Sequence, residues 1–148
     1  MIPYARQSVS EDDITAVVEA LRSDWLTTGP LVAQFEQQVA EFVGARYAVA
    51  VSNGTAALHA MVHSLDLDPG DEVIVPSMTF ASTANCVLFN RGTPVFADVD
   101  AQTLLIDVDS VEERITQRTK AIIAVDYAGQ PCDYTSLQSI ANKHQCVL

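Results

Sequence analysis

The chain has 148 residues, of which 49% are hydrophobic and 18% charged, and this mixture is typical of one folded domain and argues against disorder. Its 19 acidic residues outnumber 8 basic ones and leave a net charge of −11. Nucleic acids and anionic membranes attract clustered Lys and Arg, so we expect neither as a partner. Three widely spaced cysteines and an N-terminus without an apolar signal core predict a reduced, cytoplasmic protein.

The first third of the chain predicts two helices joined by an ordered loop. Ser10 and Asp13 resemble a capping box, and the apolar residues that follow them fall on one helical face. A Gly-Pro pair punctuates the loop 24–30, and Gly44 ends the second helix. We expect four side chains of that helix to point inward: Val32, Phe35, Val39 and Phe42.

From residue 47 onward, short apolar runs alternate with helical patterns. The runs lack polar alternation and predict buried strands at 47–51, 73–75, 95–97 and 121–125, with a fifth strand beginning at 146. Helices are predicted around 58–65, 82–89, 109–115 and 137–141, the third of them capped by Asp109. The order predicts an α/β fold with a parallel-type sheet and flanking helices. Because the chain stops inside an apolar run, we expect a fragment of a longer domain.

The segment around Gly54 is the most informative for chemistry. A predicted strand ends at Val51, a glycine turns the chain, and small residues open a helix. A helix N-terminus offers free N–H groups and the positive end of a dipole, and Thr55 adds a hydroxyl donor. The pattern favours a phosphate cradle formed by Gly54, Thr55 and Ala56, although an ordinary tight strand–helix turn has the same composition.

Phe80 follows the next predicted strand, so we expect it at the same sheet edge, where an aromatic ring can stack on a flat ligand. A core position is the alternative. His59 and His63 share a helix face but lack a third ligand, and we expect packing roles rather than a metal. We expect turn and cap roles for four aspartates: Asp98, Asp100, Asp107 and Asp109.

Three stretches in this order resemble one known family. They are residues 53–59 (NGTAALH), 70–80 (GDEVIVPSMTF) and 94–100 (PVFADVD). The sequence is similar to the DegT/DnrJ/EryC1/StrS aminotransferases over essentially its whole length. Residues 2–4, 22–30 and 125–129 look most like the branch that aminates C4 of a UDP-4-keto-6-deoxy-N-acetyl-altrosamine in pseudaminic acid biosynthesis.

The resemblance implies a fold-type-I enzyme that uses pyridoxal 5'-phosphate (PLP) and acts as a homodimer on a UDP-sugar, with glutamate as amino donor. It places the cofactor phosphate on Gly54, Thr55 and Ala56 and the pyridine ring on Phe80. It divides the chain into a helix and substrate-contacting loop, 1–30, and an incomplete PLP-binding large domain, 31–148. The sugar-nucleotide contacts it implies are Tyr4, Asp24, Trp25, Leu26, Thr27 and Gly54.

In the family, the acid that pairs with the pyridine nitrogen and the lysine that binds the cofactor covalently match positions after Leu148. The chain has two lysines, Lys120 and Lys143, and neither matches the catalytic one. We therefore assign no catalytic residue and expect no activity from these residues alone. Two alternatives stay open: a PLP-dependent sugar dehydratase, in which histidine replaces the lysine, and a non-catalytic phosphate-binding fragment.

Overall fold

The computed structural model describes residues 6–148. The chain divides into two compact units, Met1–Ala50 and Val51–Leu148. No helix among the described residues is both long enough and apolar enough to cross a membrane.

The first unit contains two helices, α1 (Glu11–Arg22) and α2 (Pro30–Val43). The predicted capping box is confirmed: the hydroxyl of Ser10 accepts from the Asp13 N–H at 3.2 Å, and Asp13 accepts from the Ser10 N–H at 2.7 Å. Gly44 ends α2 as predicted, since its φ of 68° is the left-handed conformation that glycine adopts without steric cost.

Two predictions for this unit are wrong. Of the side chains expected to point inward, Phe42 is 92% exposed, Phe35 and Val32 are also exposed, and Val39 is half-buried. The helix has the predicted amphipathic pattern, but most of its apolar stripe is exposed among the described residues. Residues 47–51 form no strand, because a strand must satisfy its backbone groups on a neighbour and the sheet in residues 6–148 offers them none.

The second unit alternates helix and strand. Its elements are α3 (Gly54–His63), β1 (Glu72–Pro76), α4 (Ser82–Phe89), β2 (Thr93–Ala97), α5 (Val108–Arg114), β3 (Thr119–Ile122) and α6 (Tyr134–His144). The strands are parallel, in the order β2-β1-β3, which confirms the predicted α/β class. Val147 adds one parallel bridge to Ala121 of β3, where a further strand was predicted to begin.

The side chains of β1 alternate between two apolar cores. Ile74 packs with Leu137 and the residues of α5 and α6, whereas Val73 and Val75 pack with Val62 and the residues of α3 and α4. Helices therefore cover both faces of the sheet, which is why β1 reads as an unbroken apolar run.

The predicted cap of α5 is displaced by two residues. Asp107, not Asp109, is the N-cap, and its carboxylate accepts from the Ser110 N–H at 2.8 Å. Both aspartates precede the same apolar residues, so the sequence pattern did not distinguish them.

Candidate active site

The carboxyl ends of the parallel strands lie at one edge of the sheet. Where β1 ends, the N–H of Ser77 donates to the oxygen of Ala97, the last residue of β2, at 2.8 Å. Where β3 ends, the N–H of Ile123 donates to the oxygen of Ile74 at 2.8 Å. Ligands of open α/β sheets bind at this carboxyl edge, so the segments that leave β1 and β3 are candidates for the site.

The N-terminus of α3 lies at the same edge because α3 and α4 run in the same direction. Asn90, which ends α4, connects the C-terminal part of α3 to the C-terminal end of α4 through its side chain. Its Oδ1 is 3.1 Å from Nδ1 of His63, and its Nδ2 donates to the oxygen of His59 at 3.3 Å. Since α4 begins just after Phe80 at the carboxyl edge, α3 begins there too. We infer from these contacts that Gly54, Thr55 and Phe80 lie at one edge.

The first turn of α3 has the properties of an anion site. The side chain of Asn53 caps the helix by accepting from the Ala56 N–H at 2.9 Å, and its backbone oxygen accepts from the Ala57 N–H at 3.1 Å. Within residues 6–148, the N–H groups of Gly54 and Thr55 have no acceptor. They are free to donate to an anion, with the helix dipole adding to the attraction.

A phosphate group fits this turn. A Cβ built on Gly54 would meet nothing within 4 Å, so the space above the backbone is open, and Thr55 is exposed beside it. The assignments of Gly54, Thr55 and Ala56 stay predictions, with the difference that the N–H of Ala56 is already engaged by Asn53. Sequence reasoning missed the role of Asn53, although an Asn directly before a helix is a recognisable cap signal.

Phe80 presents its ring to solvent rather than to the core. The side chain is 76% exposed, yet its backbone lies between a buried strand and a buried helical turn. An exposed aromatic at a ligand-binding edge suits stacking on a flat ring, and the alternative of a core position does not apply. Its role as the stacking residue remains a prediction.

Asp126 organises the segment that leaves β3. Its Oδ1 accepts from the Cys132 N–H at 2.9 Å and from the Tyr134 hydroxyl at 2.9 Å. These two donors, the Cys132 N–H first, lower the pKa of Asp126. Partial burial and then the bond to Asp126 raise the pKa of Tyr134 to about 12, so its hydroxyl stays protonated. Sequence reasoning did not single out Asp126, although a polar residue after a third strand end was the available signal.

Both histidines and two of the four aspartates considered as metal ligands, Asp100 and Asp107, have structural partners. His59 packs its ring against Phe89, with centroids 5.7 Å apart, and His63 contacts Asn90. Asp100 accepts from the N–H and the hydroxyl of Thr103 at 2.8 and 2.9 Å. Over residues 6–148, no group of three or more His, Cys, Asp or Glu side chains is placed to hold a metal ion.

Both lysines lie away from the carboxyl edge. Nζ of Lys120 is 3.7 Å from Oδ1 of Asp71, which directly precedes β1 at the opposite edge. Lys143 lies in the last turn of α6 and pairs with Glu112 of α5. Neither lysine lies beside Gly54 or Phe80.

The predicted substrate loop lies in the first unit. The hydroxyl of Ser23 accepts from the Trp25 N–H at 3.3 Å, and Trp25 and Leu26 are exposed, as are Asp24 and Thr27. A Cβ on Gly29 would lie 2.7 Å from Cβ of Trp25, so the loop closes tightly before α2. Tyr4 lies outside the described residues. The substrate-contact assignments stay predictions.

Two curated relatives resemble the chain along nearly all of its length. It is 45% identical over 143 residues to the spore coat polysaccharide biosynthesis protein SpsC of Bacillus subtilis (strain 168). It is 43% identical over 144 residues to the UDP-4-amino-4-deoxy-L-arabinose--oxoglutarate aminotransferase of Shewanella sediminis (strain HAW-EB3). Each alignment covers 97% of this chain and 37% of the relative, so the chain spans little more than a third of their length.

Two solved structures also match this chain along nearly all of its length, and again it covers little more than a third of each of them. Helicobacter pylori PseC, an aminotransferase involved in pseudaminic acid biosynthesis, superimposes with a TM-score of 0.91 at 34% identity, covering 97% of this chain and 39% of that one. The E. coli GDP-4-keto-6-deoxy-D-mannose-3-dehydratase with bound hydrated PLP superimposes with a TM-score of 0.91 at 32% identity. That match covers 98% of this chain and 39% of the dehydratase chain.

The dehydratase neighbour holds bound PLP. The likeness to both structures confirms the predicted fold, a parallel sheet with flanking helices from the large domain of fold-type-I PLP-dependent enzymes. The sequence profile of the DegT/DnrJ/EryC1/StrS aminotransferases matches residues 7–148. The predicted family is therefore confirmed, and the chain belongs to the DegT/DnrJ/EryC1/StrS aminotransferase family.

Proposed function

We propose that this chain is the part of a PLP-dependent sugar-nucleotide aminotransferase that holds the cofactor's phosphate and stacks on its ring. The observation that carries the proposal is the capped first turn of α3, with the free N–H groups of Gly54 and Thr55 at the same sheet edge as the exposed ring of Phe80. The family match and the PLP-bound neighbour support the choice of ligand.

Bound PLP supplies an electron sink for amino transfer. The residues of this chain bind and orient it: Gly54 and Thr55 donate N–H groups to the phosphate, and Phe80 packs on one face of the ring. Proton transfer needs a base at the carboxyl edge, and both lysines lie elsewhere. We infer that the chain by itself binds the cofactor but does not turn over substrate.

The substrate we propose is a UDP-4-keto-6-deoxy-N-acetyl-hexosamine, aminated at C4 with glutamate as donor, for pseudaminic acid or a related surface glycan. A relative named for a UDP-4-amino sugar and oxoglutarate supports the nucleotide, the position and the donor. The PseC neighbour and the spore coat polysaccharide relative support the pathway class. Exposed Trp25 and Leu26 suit the packing of a nucleotide base or sugar ring.

We propose that residues 1–30 form a substrate-contacting segment, with contacts at Tyr4 and residues 24–27, and that residues 31–148 belong to the PLP-binding large domain. We also propose that the protein is a homodimer with a cytoplasmic location. The homodimer matters most for the site, because in the proposed arrangement residues of both subunits surround the cofactor. Cross-linking of the full gene product followed by mass measurement tests it, and a monomer at every concentration would contradict it.

A sugar dehydratase is the second candidate function. One observation favours it: the dehydratase neighbour superimposes on this chain as well as PseC does, with a TM-score of 0.91 for both. NMR of the product that the full gene product makes from a UDP-4-keto-6-deoxy sugar and glutamate distinguishes the two. An amine at C4 supports the aminotransferase, and loss of the C3 hydroxyl supports the dehydratase.

Cofactor binding by the chain itself is tested by equilibrium dialysis against PLP and against pyridoxal, which lacks the phosphate. We expect PLP to bind about tenfold tighter or more, because charge-assisted hydrogen bonds from Gly54 and Thr55 contact only the phosphate. Equal affinities would contradict the phosphate cradle. Borohydride reduction traps a Schiff base between PLP and a lysine. Specific labelling of one lysine, either Lys120 or Lys143, would contradict the inference that neither lysine binds the cofactor covalently.

A further inference from the structure

Thr83 is a buried polar residue three positions after the exposed Phe80. It is the second residue of α4 and only 3% exposed, whereas the ring of Phe80 is 76% exposed. A buried hydroxyl needs a partner. A helical Thr commonly bonds to a carbonyl of its own preceding turn, but the partner of the Thr83 hydroxyl is another side chain.

Two hydrogen bonds from Thr83 hold the chain on both sides of Phe80. The Thr83 N–H donates to the Phe80 oxygen at 3.0 Å, which fixes the peptide that follows the aromatic residue. Oγ1 of Thr83 lies 2.8 Å from Oγ1 of Thr79, which fixes the residue before it, whichever hydroxyl donates. The backbone that carries the ring is thus attached to one buried residue.

These bonds replace an ordinary helix cap. The N-cap of α4 is Ala81, which has helical φ and ψ and makes no side-chain cap bond. Asn53 caps α3, Asp107 caps α5 and Asp133 caps α6 through their side chains. At α4 the entry turn is held by the Thr79–Thr83 pair instead, and the residue enclosed in that turn is Phe80.

We propose that Thr83 is a positioning residue that holds the ring of Phe80 in the orientation needed to stack on a planar ligand. The inference rests on the proposed function for the identity of the ligand, but not for the immobilisation of the ring. A fixed aromatic ring loses less conformational entropy on binding than a mobile one. The hydrogen bonds of Thr83 therefore contribute to affinity although Thr83 does not touch the ligand.

The first test needs no cofactor. The chain has a single tryptophan, Trp25, so Phe80→Trp combined with Trp25→Phe gives an indole only at position 80. In this background we expect Thr83→Val to lower the fluorescence anisotropy at position 80 and to increase acrylamide quenching. Thr83→Ser keeps the hydroxyl and should restore both values. Identical anisotropy in the Thr83 and Thr83→Val proteins would overturn the proposal.

The second test measures ligand binding in the chain with Phe80 intact. Thr83→Val should weaken PLP binding about threefold to tenfold, the range of one aromatic stacking contact. It should leave the binding of inorganic phosphate unchanged, because Gly54 and Thr55 hold phosphate independently. Loss of phosphate affinity, or full PLP affinity in Thr83→Val, would count against a positioning role.

The two tests separate this inference from the proposed function. If the unsubstituted chain binds no PLP but the anisotropy still depends on the hydroxyl, the proposed function fails and the immobilisation of residue 80 stands. If Thr83→Val does not fold, as judged by circular dichroism, Thr79→Val removes the same pair from its less buried side and takes its place in both measurements.

Discussion

The hydroxyl of Tyr134 donates to Oδ1 of Asp126 at 2.9 Å, and the same oxygen accepts from the Cys132 N–H. One carboxylate thereby joins the segment that leaves β3 to the first residue of α6. Because donors to a carboxylate favour its charged form, the pKa of Asp126 is lowered, and ionisation of Asp126 strengthens both hydrogen bonds.

Protonation of Asp126 should destabilise the fold in acid. A carboxyl whose folded pKa is depressed stabilises the protein above its unfolded pKa, and that contribution is lost as pH falls through the folded value, below about pH 4. Other carboxyls titrate there too, so the urea midpoint of the unsubstituted chain should be compared with that of Asp126→Asn. The variant should lose less stability between neutral pH and acid, and parallel curves would contradict the argument.

Removal of the second donor should raise the pKa of Asp126. Tyr134→Phe deletes only the hydroxyl, because the ring of Tyr134 remains and Cys132 still donates to the carboxylate. Carbon-13 NMR titration of the Asp126 carboxyl should give a pKa closer to the ordinary aspartate value in the variant. An unchanged titration would mean that the tyrosine hydroxyl does not act on Asp126 in solution.

A separate prediction concerns Glu72, whose side chain is only 8% exposed at the start of β1. Its Oε2 accepts from the Thr116 hydroxyl at 2.5 Å, and its Oε1 accepts from the Arg118 guanidinium. The bond from Thr116 is the first cause of the lowered pKa of Glu72. Thr116→Val should cost about 1–3 kcal/mol of unfolding free energy, because it removes a donor from a nearly buried carboxylate.

Salt distinguishes the two partners of Glu72. The Arg118 side chain is mostly exposed, so the cost of Arg118→Ala should shrink between low salt and about 1 M salt, where exposed charges are screened. The cost of Thr116→Val should stay the same, since that hydrogen bond involves no second charge. Urea unfolding at the two salt concentrations measures both, and an equal salt response in the two variants would contradict the distinction.

Most local signals in the sequence predicted local structure correctly, and the misplaced cap of α5 is the exception. The Ser10–Asp13 box and the Gly44 stop depend on residues within one turn, and both are present. The unbroken apolar run of β1 predicted a strand covered on both faces, and Val73 and Ile74 indeed pack in opposite cores.

The other wrong predictions involve partners that a local pattern does not specify. Residues 47–51 have strand composition, but a strand exists only with a neighbour to pair with, and pairing is decided elsewhere in the chain. At the candidate site, Gly54 and Phe80 were predicted because each follows an apolar run. Thr83 and Asp126 were not found, because each acts through a contact that only the folded turn creates.

Another prediction compares two glycines with opposite surroundings. Gly54→Ala should change the unfolding free energy by less than about 0.5 kcal/mol, because its Cβ meets nothing within 4 Å. It should nevertheless weaken PLP binding, since the new methyl group occupies the space that the phosphate needs beside the backbone. Gly92→Ala should cost about 1–3 kcal/mol, because its Cβ would lie 2.7 Å from Leu67 Cδ1 and 3.0 Å from Val87 Cγ1.

Thermal unfolding and PLP dialysis of both glycine variants provide the measurement. Gly92→Ala is the control for indirect effects, since it lies at the amino end of β2, away from the carboxyl edge, and should bind PLP normally while folded. Unchanged PLP affinity in Gly54→Ala would place the phosphate elsewhere. Equal loss of affinity in the two variants would mean that affinity follows stability rather than the cradle.

The last prediction concerns the exposed apolar stripe of α2. Phe42→Ala should cost less than about 0.5 kcal/mol in this chain, because the side chain is 92% exposed and has few contacts to lose. Leu137→Ala, at 0% exposure in the core beneath β1, should cost about 2–5 kcal/mol. Phe42→Ala should also reduce binding of the dye ANS to the chain, whereas a Phe42 cost as large as that of Leu137 would show that α2 packs its stripe in solution.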